Sequence, residues 1–251
     1  MSEEDAFLRM IRSEPDDDTP RLVFADWLEE HGQSDRAEFI RLQCEAERLR
    51  ASRGGWEQAR IPSARAQKLL ARHSPQWLGR FQGCRRAFKR GFLDQICITA
   101  KSLVAHAEEV FRLGPITNIE LLGTANYVAG VAAIPHLTNV KQLHLQANQL
   151  TGIHIRTLVG SSYVCELECL YLERNNIANE GAIAIAESPH LSSLTTLRID
   201  HNDVGDEGLL ALAESRYLPR LRGIYLSGNE VDLRRRGARA LVDRFGEGVL
   251  D

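Results

Sequence analysis

The chain has 251 residues, 43% of them hydrophobic and 26% charged, with a formal net charge of −3. A chain of that make-up can bury a sizeable core and is not a disordered polyelectrolyte. No apolar stretch reaches the ~18 residues of a membrane span, so no membrane partner is expected. The acidic opening MSEEDAF lacks the basic and apolar regions of a secretory leader. Cys44, Cys84, Cys97, Cys165 and Cys169 form no C-x-x-C pair; reduced thiols and a cytoplasmic location are therefore expected.

Charge divides the chain into three segments. Residues 1–50 hold 7 basic against 14 acidic side chains, residues 51–92 hold 10 against 1, and residues 93–251 hold 14 against 19. The expected organisation follows these bounds: a helical region, a basic helical connector, and a repeat domain that includes its own C-terminal cap.

The first segment reads as three short helices. Ser2 caps the first, whose stripe of Phe7, Met10 and Ile11 ends at Pro15. Asp18-Thr19-Pro20 offers a cap and a first-turn proline to a second, which Gly32 closes. Ser34 is placed to cap a third, from Asp35 to about Leu49. Within this segment Asp26, Glu38, Arg21 and Arg41 read as ion pairs between helices, and Trp27 as a core anchor.

The run from Asp16 to Gln43, with Thr19-Pro20-Arg21, Ala25-Asp26-Trp27-Leu28-Glu29-Glu30 and Ala37-Glu38-Phe39-Ile40-Arg41 in order, resembles the bacterial repeat-companion domain. The resemblance implies a bacterial lineage and a repeat array downstream, and no biochemical activity.

In the second segment Ala59 to His73 reads as a basic helix, and Ser74-Pro75 as the start of another through Trp77, Leu78 and Phe81. The segment ends in the run Cys84 to Phe92, where Arg85, Arg86, Lys89 and Arg90 alternate with aromatic residues. Such a run can bind phosphate or nucleic acid through counterion release and base stacking. The favoured reading is an N-terminal cap on the repeats whose cations face the acidic first segment, and proteins with the companion domain often carry a similar Phe-x-Arg-Gly-Phe phrase there.

The third segment repeats a phrase of the form Leu-x-x-Leu-x-Leu-x-x-Asn-x-Leu: VKQLHLQANQL, LECLYLERNNI, LTTLRIDHNDV and LRGIYLSGNEV. Asn148, Asn175, Asn202 and Asn229 close successive phrases 27 residues apart. The alternating apolar residues predict a short strand with one face buried, and the asparagine amide can satisfy backbone groups as the chain turns. These asparagines should form a structural ladder. Helical runs follow the phrases, with Asn179 and Asp206 placed as N-caps just ahead of two of them. Two degenerate phrases, at Leu93 and Ile116, carry Lys101 and Thr124 at the asparagine position.

This grammar identifies a leucine-rich repeat, and phrases such as Asn179-Glu180-Gly181-Ala182 resemble its ribonuclease-inhibitor-like subtype. The resemblance implies an α/β fold: a curved solenoid of about six parallel strands on the concave side with helices on the convex side, preceded by a small all-α region.

Side chains pointing out of the strands are free of packing duty. They form one row of Cys97, Glu120, His144, Tyr171, Arg198 and Tyr225, and a second of Thr99, Leu122, Gln146, Glu173, Asp200 and Ser227. Tyr and Arg side by side are the residue types enriched at interface hot spots. The partner-binding candidates are accordingly Glu120, His144, Gln146, Tyr171, Glu173, Arg198, Asp200 and Tyr225.

His144, Glu173, Asp200, His201 and Cys169 lack any catalytic or metal-ligand spacing. No catalytic residue, metal or cofactor is expected. The reading is a non-enzymatic, monomeric scaffold that binds another protein. The alternatives are a nucleic-acid-associated protein using the basic run, and an adaptor or regulatory subunit of an enzyme.

Overall fold

The computed structural model describes residues 3–81 and 85–246. Ser2 and Cys84 lie outside the described residues. Contacts divide the chain into two units, one formed by Met1–Ile96 with Glu108–Ile116 and the other by Cys97–Ala107 with Thr117–Asp251. Residues 1–50 and 51–92, separate in charge, therefore share one unit.

The first unit holds helices α1 (Glu3–Ser13), α2 (Thr19–Glu30), α3 (Ser34–Ala51) and α4 (Trp56–Leu78). Leu8, Ile11, Phe24, Leu28, Ile40 and Phe92 build one core, and Phe39, Leu42 and Ala66 a second. Trp27 borders the first core, half-buried, and donates from its indole N–H to Glu3 at 3.0 Å.

The expected break at Ser74-Pro75 is absent: α4 runs through Pro62 and Pro75. Packing overrides the proline here, because Trp77 stacks on His73 one turn back (5.3 Å) and tilts against Phe39 (5.0 Å). Two caps also shift. Asp18 makes no capping bond, whereas Asp17 accepts from the Thr19 N–H at 2.8 Å. That bond from Thr19 lowers the Asp17 carboxyl pKa. The third helix starts at Ser34 itself, after Gln33, whose side chain makes no capping bond.

The basic run becomes a hairpin. Strand β1 (Arg86–Lys89) pairs antiparallel with β2 (Phe92–Thr99), Lys89 opposite Phe92. Between them Arg90 (φ 51) and Gly91 (φ 88) both take the left-handed conformation that a two-residue turn of this hand requires. A Cβ on Gly91 would lie 2.7 Å from the Ile40 Cα, so only glycine lets this turn press against α3.

Among the described residues the strands number seven, one more than the six expected. After β2 comes α5 (Ala100–Arg112), broken at His106 (φ −137, ψ 29), beside the division between the units. Strand β3 (Asn118–Leu122) and helix α6 (Val128–Ala132) follow, and from β4 the period of 27 rules. Its elements are β4 (Gln142–His144), α7 (Gly152–Val159), β5 (Cys169–Tyr171), α8 (Ala178–Glu187), β6 (Thr196–Arg198), α9 (Asp206–Glu214), β7 (Gly223–Tyr225) and α10 (Arg236–Phe245).

Strands β3 to β7 pair in parallel with Ile119, Leu143, Leu170, Leu197 and Ile224 in register. These residues are buried, as are Ile155, Leu158, Ala182, Ile185, Leu209, Leu212, Ala238 and Leu241 on the helices. Strand and helix of each repeat thus close over a shared core, each residue shielded by the next repeat.

Candidate functional site

The turns after the strands set the positions of everything on the open face. Asn175 shows how: its Oδ1 accepts from the Asn148 and Leu150 N–H groups, both at 3.0 Å. Its amide N–H₂ donates to Leu145 O (2.9 Å) and Leu172 O (2.7 Å). Asn148, Asn202 and Asn229 repeat the pattern, each bonding backbone of its own turn and of the turn before it. Thr124 stands in the same place one repeat earlier and receives Asn148 through its N–H. Lys101 does not; it lies in α5, so β2 passes straight into a helix without this turn.

The residue before each rung is Gly123, Ala147, Arg174, His201 or Gly228, all with positive φ. Left-handed backbone costs a non-glycine residue about 1–2 kcal/mol, and the buried amide bonds offset it. Gly228 has a second reason: a Cβ there would lie 2.1 Å from the His201 Nδ1.

Helix ends are completed between repeats, which the sequence reading missed. Asn179 and Asp206 do not cap their own helices, α8 and α9. The Asn179 Oδ1 accepts from Gly205 N (2.8 Å) and Gly208 N (3.1 Å) at the start of α9, and the Asp206 Oδ1 from Gly237 N (2.8 Å) at the start of α10. At the opposite ends Ser161, Ser188 and Ser215 donate back to Ala132 O, Val159 O and Ala186 O of the preceding helix. Their spacing of 27 was a visible signal. In the last repeat Arg244 takes this task, donating to Leu212 O, Ala213 O, Ser215 O and Leu218 O.

On this frame Glu120, His144, Tyr171, Arg198 and Tyr225 are register partners across five neighbouring strands. The His144 ring stacks on Tyr171 with centroids 4.1 Å apart and planes at 4°. The Arg198 guanidinium covers the Tyr225 ring at 4.7 Å. Tyr225 remains 46% exposed.

The second row carries Gln146, 3.3 Å from the His144 Nδ1, and the acids Glu173 and Asp200. Arg198 Nε lies 3.2 Å from Glu173 Oε1 and 3.6 Å from Asp200 Oδ2. Burial raises the Glu173 carboxyl pKa, and the charge of Asp200 adds to this while Arg198 opposes it. Desolvation likewise raises the Tyr171 hydroxyl, with Cys169 beside it reinforcing the shift. The face candidates from His144 to Tyr225 are thereby each tied to a named neighbour on the face, and Glu120 holds the end of the row.

No group of three or more His, Cys, Asp or Glu side chains among the described residues is placed to hold a metal ion. His201 sits in the turn with its ring against Gly228.

The basic run is dispersed rather than presented. Arg90 donates to Asp16 O (2.6 Å) and Pro15 O (3.3 Å) and faces Asp16 and Asp18. Phe88 is half-buried and packs edge-on against Phe39, and Phe92 is buried. Arg85 and Lys89 are exposed and Arg86 is half-buried. In the helical unit Arg41 pairs with Asp26 and Glu29, both at 2.6 Å, while Glu38 pairs with Arg65. Arg21 is buried and donates to Asp17 O and Pro15 O, with no side-chain ion pair among the described residues.

Against known families, the leucine-rich repeat model matches residues 165–186 and 190–213. Two stretches of the chain are thus leucine-rich repeats. The matched stretches hold β5, most of α8, β6 and most of α9, so the geometric repeat and the family repeat coincide there. Repeats of this family commonly mediate protein–protein interaction. No curated protein matches the chain.

Proposed function

We propose that this protein is a non-enzymatic interaction scaffold whose open strand face, β3 to β7, binds another protein. The observation that carries the reading is the row Glu120, His144, Tyr171, Arg198 and Tyr225. It sets two pre-stacked pairs side by side on a rigid frame, so little side-chain freedom is lost on docking. In this reading the strands form the concave side of a curved solenoid of the ribonuclease-inhibitor-like kind. Residues 1–50 are a bacterial repeat-companion domain, and the protein acts as a cytoplasmic monomer. The nucleic-acid alternative is weakened by the commitments of Arg90, Phe88 and Phe92 within the helical unit.

The test is affinity capture from bacterial lysate with wild type and Tyr171→Ala/Arg198→Glu/Tyr225→Ala. A protein retained by the first and lost by the second, with circular dichroism of both chains alike, is the expected outcome. Identical captures by both chains overturn the assignment. Capture that collapses steeply with salt in both points to the basic run instead.

A further inference from the structure

The helical unit holds a guanidinium, that of Arg36, that no hydrogen bond among the described residues satisfies. Arg36 offers five N–H donors. Its flat faces are occupied by rings, with Trp77 at 4.7 Å and Phe39 and Phe92 each at 5.4 Å. Its edge makes no hydrogen bond among the described residues, and Nη1 is sealed from solvent without a partner. Burial lowers the pKa to about 10, and only the charge of Glu4 works against that shift. The side chain as a whole is half-buried, but an N–H sealed from water without an acceptor is destabilising in general, so an acceptor from outside the chain would stabilise this one.

Space for one is present. Arg36, Gln33, Gln76 and Trp77 border two adjoining cavities of about 260 Å³ each. At ~30 Å³ per water, each has room for roughly nine waters or one small organic anion. The first is walled by Leu8, Phe24, Leu28 and Phe92, with Glu4 and Arg112 also lining it. The second is bordered by Gly32 to Asp35, the start of the 18-residue helix α3, where Gln33 provides no side-chain cap. An uncapped helix start of this length favours an anion. The acid beside it, Asp35, is engaged by His73 at 2.8 Å.

We propose that these cavities form a binding site for a small oxyanion, a carboxylate or a phosphate, gripped by the fork of Arg36 with Gln33 and Gln76 alongside. A planar carboxylate or a phosphate can take two parallel N–H bonds from such a fork, which chloride cannot. Glu4 stands against the anion and weakens it, while Arg112 adds a second positive charge.

The experiment uses the full chain, melted in sodium phosphate or sodium succinate against sodium chloride at equal ionic strength. Wild type, Arg36→Met, Arg36→Lys and Glu4→Gln are compared. At a tenfold excess over Kd the probe should raise the folded-to-unfolded ratio about elevenfold, read as a higher Tm. The rise should vanish in Arg36→Met, shrink in Arg36→Lys and grow in Glu4→Gln. A rise with phosphate alone assigns a phosphoryl ligand, and one with succinate alone a carboxylate. A rise that survives Arg36→Met, or no rise with either probe in wild type, overturns the proposal. Should Arg36→Met not fold, the Lys and Gln variants carry the test by themselves.

Discussion

Asn175→Ala tests the physical account of the strand face most directly. The side chain makes four backbone bonds of 3.0 Å or shorter, two accepted and two donated, spread over its own turn and the one before. Only 4% of it is exposed, so water cannot replace what alanine removes. At about 1 kcal/mol net per buried bond, the loss is ~4 kcal/mol. For a unit of this size that lowers Tm by about 8–16 °C. Asn229 makes an equivalent set of four, but at the last turn, where it is half-buried. Water can reach its partners there, and Asn229→Ala should cost about half as much. Urea unfolding followed by circular dichroism, with m unchanged, measures both. A loss below ~1 kcal/mol for Asn175→Ala, or equal losses at the two sites, would refute the reasoning.

Two further outcomes follow from the packing and the charges. Gly91→Ala puts a Cβ 2.7 Å from the Ile40 backbone at φ +88, and overpacking with backbone strain should lower stability by about 3 kcal/mol, read by thermal melting; an unchanged Tm sinks the hairpin argument. Glu173→Gln addresses a carboxyl whose pKa is raised from its ordinary 4.5 by burial. A raised carboxyl contributes stability below its unfolded pKa and loses that contribution as pH rises through its folded value. The variant should therefore melt higher than wild type at pH 7, with the gain fading toward pH 4. A gain independent of pH would show that Glu173 does not titrate in this way.

Much of the repeat domain was legible because its rule is local and recurs. Leu170 and Leu172 alternate with Tyr171, Asn175 follows at a fixed distance, and the same offsets return 27 residues later. The face rows could be read from alternation alone, since one side of each strand must be buried. The stacking partners could not, because which side chain leans on which depends on the stagger between strands.

Strand β1 was hidden by its composition. Arg86, Ala87, Phe88 and Lys89 read as a basic patch, although Arg90-Gly91 between alternating residues was a usable hairpin signal. The uninterrupted α4 was illegible, because Pro75 favours a break locally and only the contacts of Trp77, made across the fold, outweigh it. The helix caps failed for a related reason. A capping residue was sought next to its own helix, whereas stacking brings Asn179 to the helix one repeat further on.

That displacement gives the array an all-or-none character. Asn179 serves the helix ahead, and Ser188 and Ser215 serve the helix behind, so the seams between the later repeats are stitched at both ends of the helical layer. Withdrawing one repeat strips a donor or acceptor from each of its neighbours at the moment their apolar flanks are laid bare. The two losses fall on the same seam and compound, so the repeats stand or fall together like courses of brick bonded across every joint.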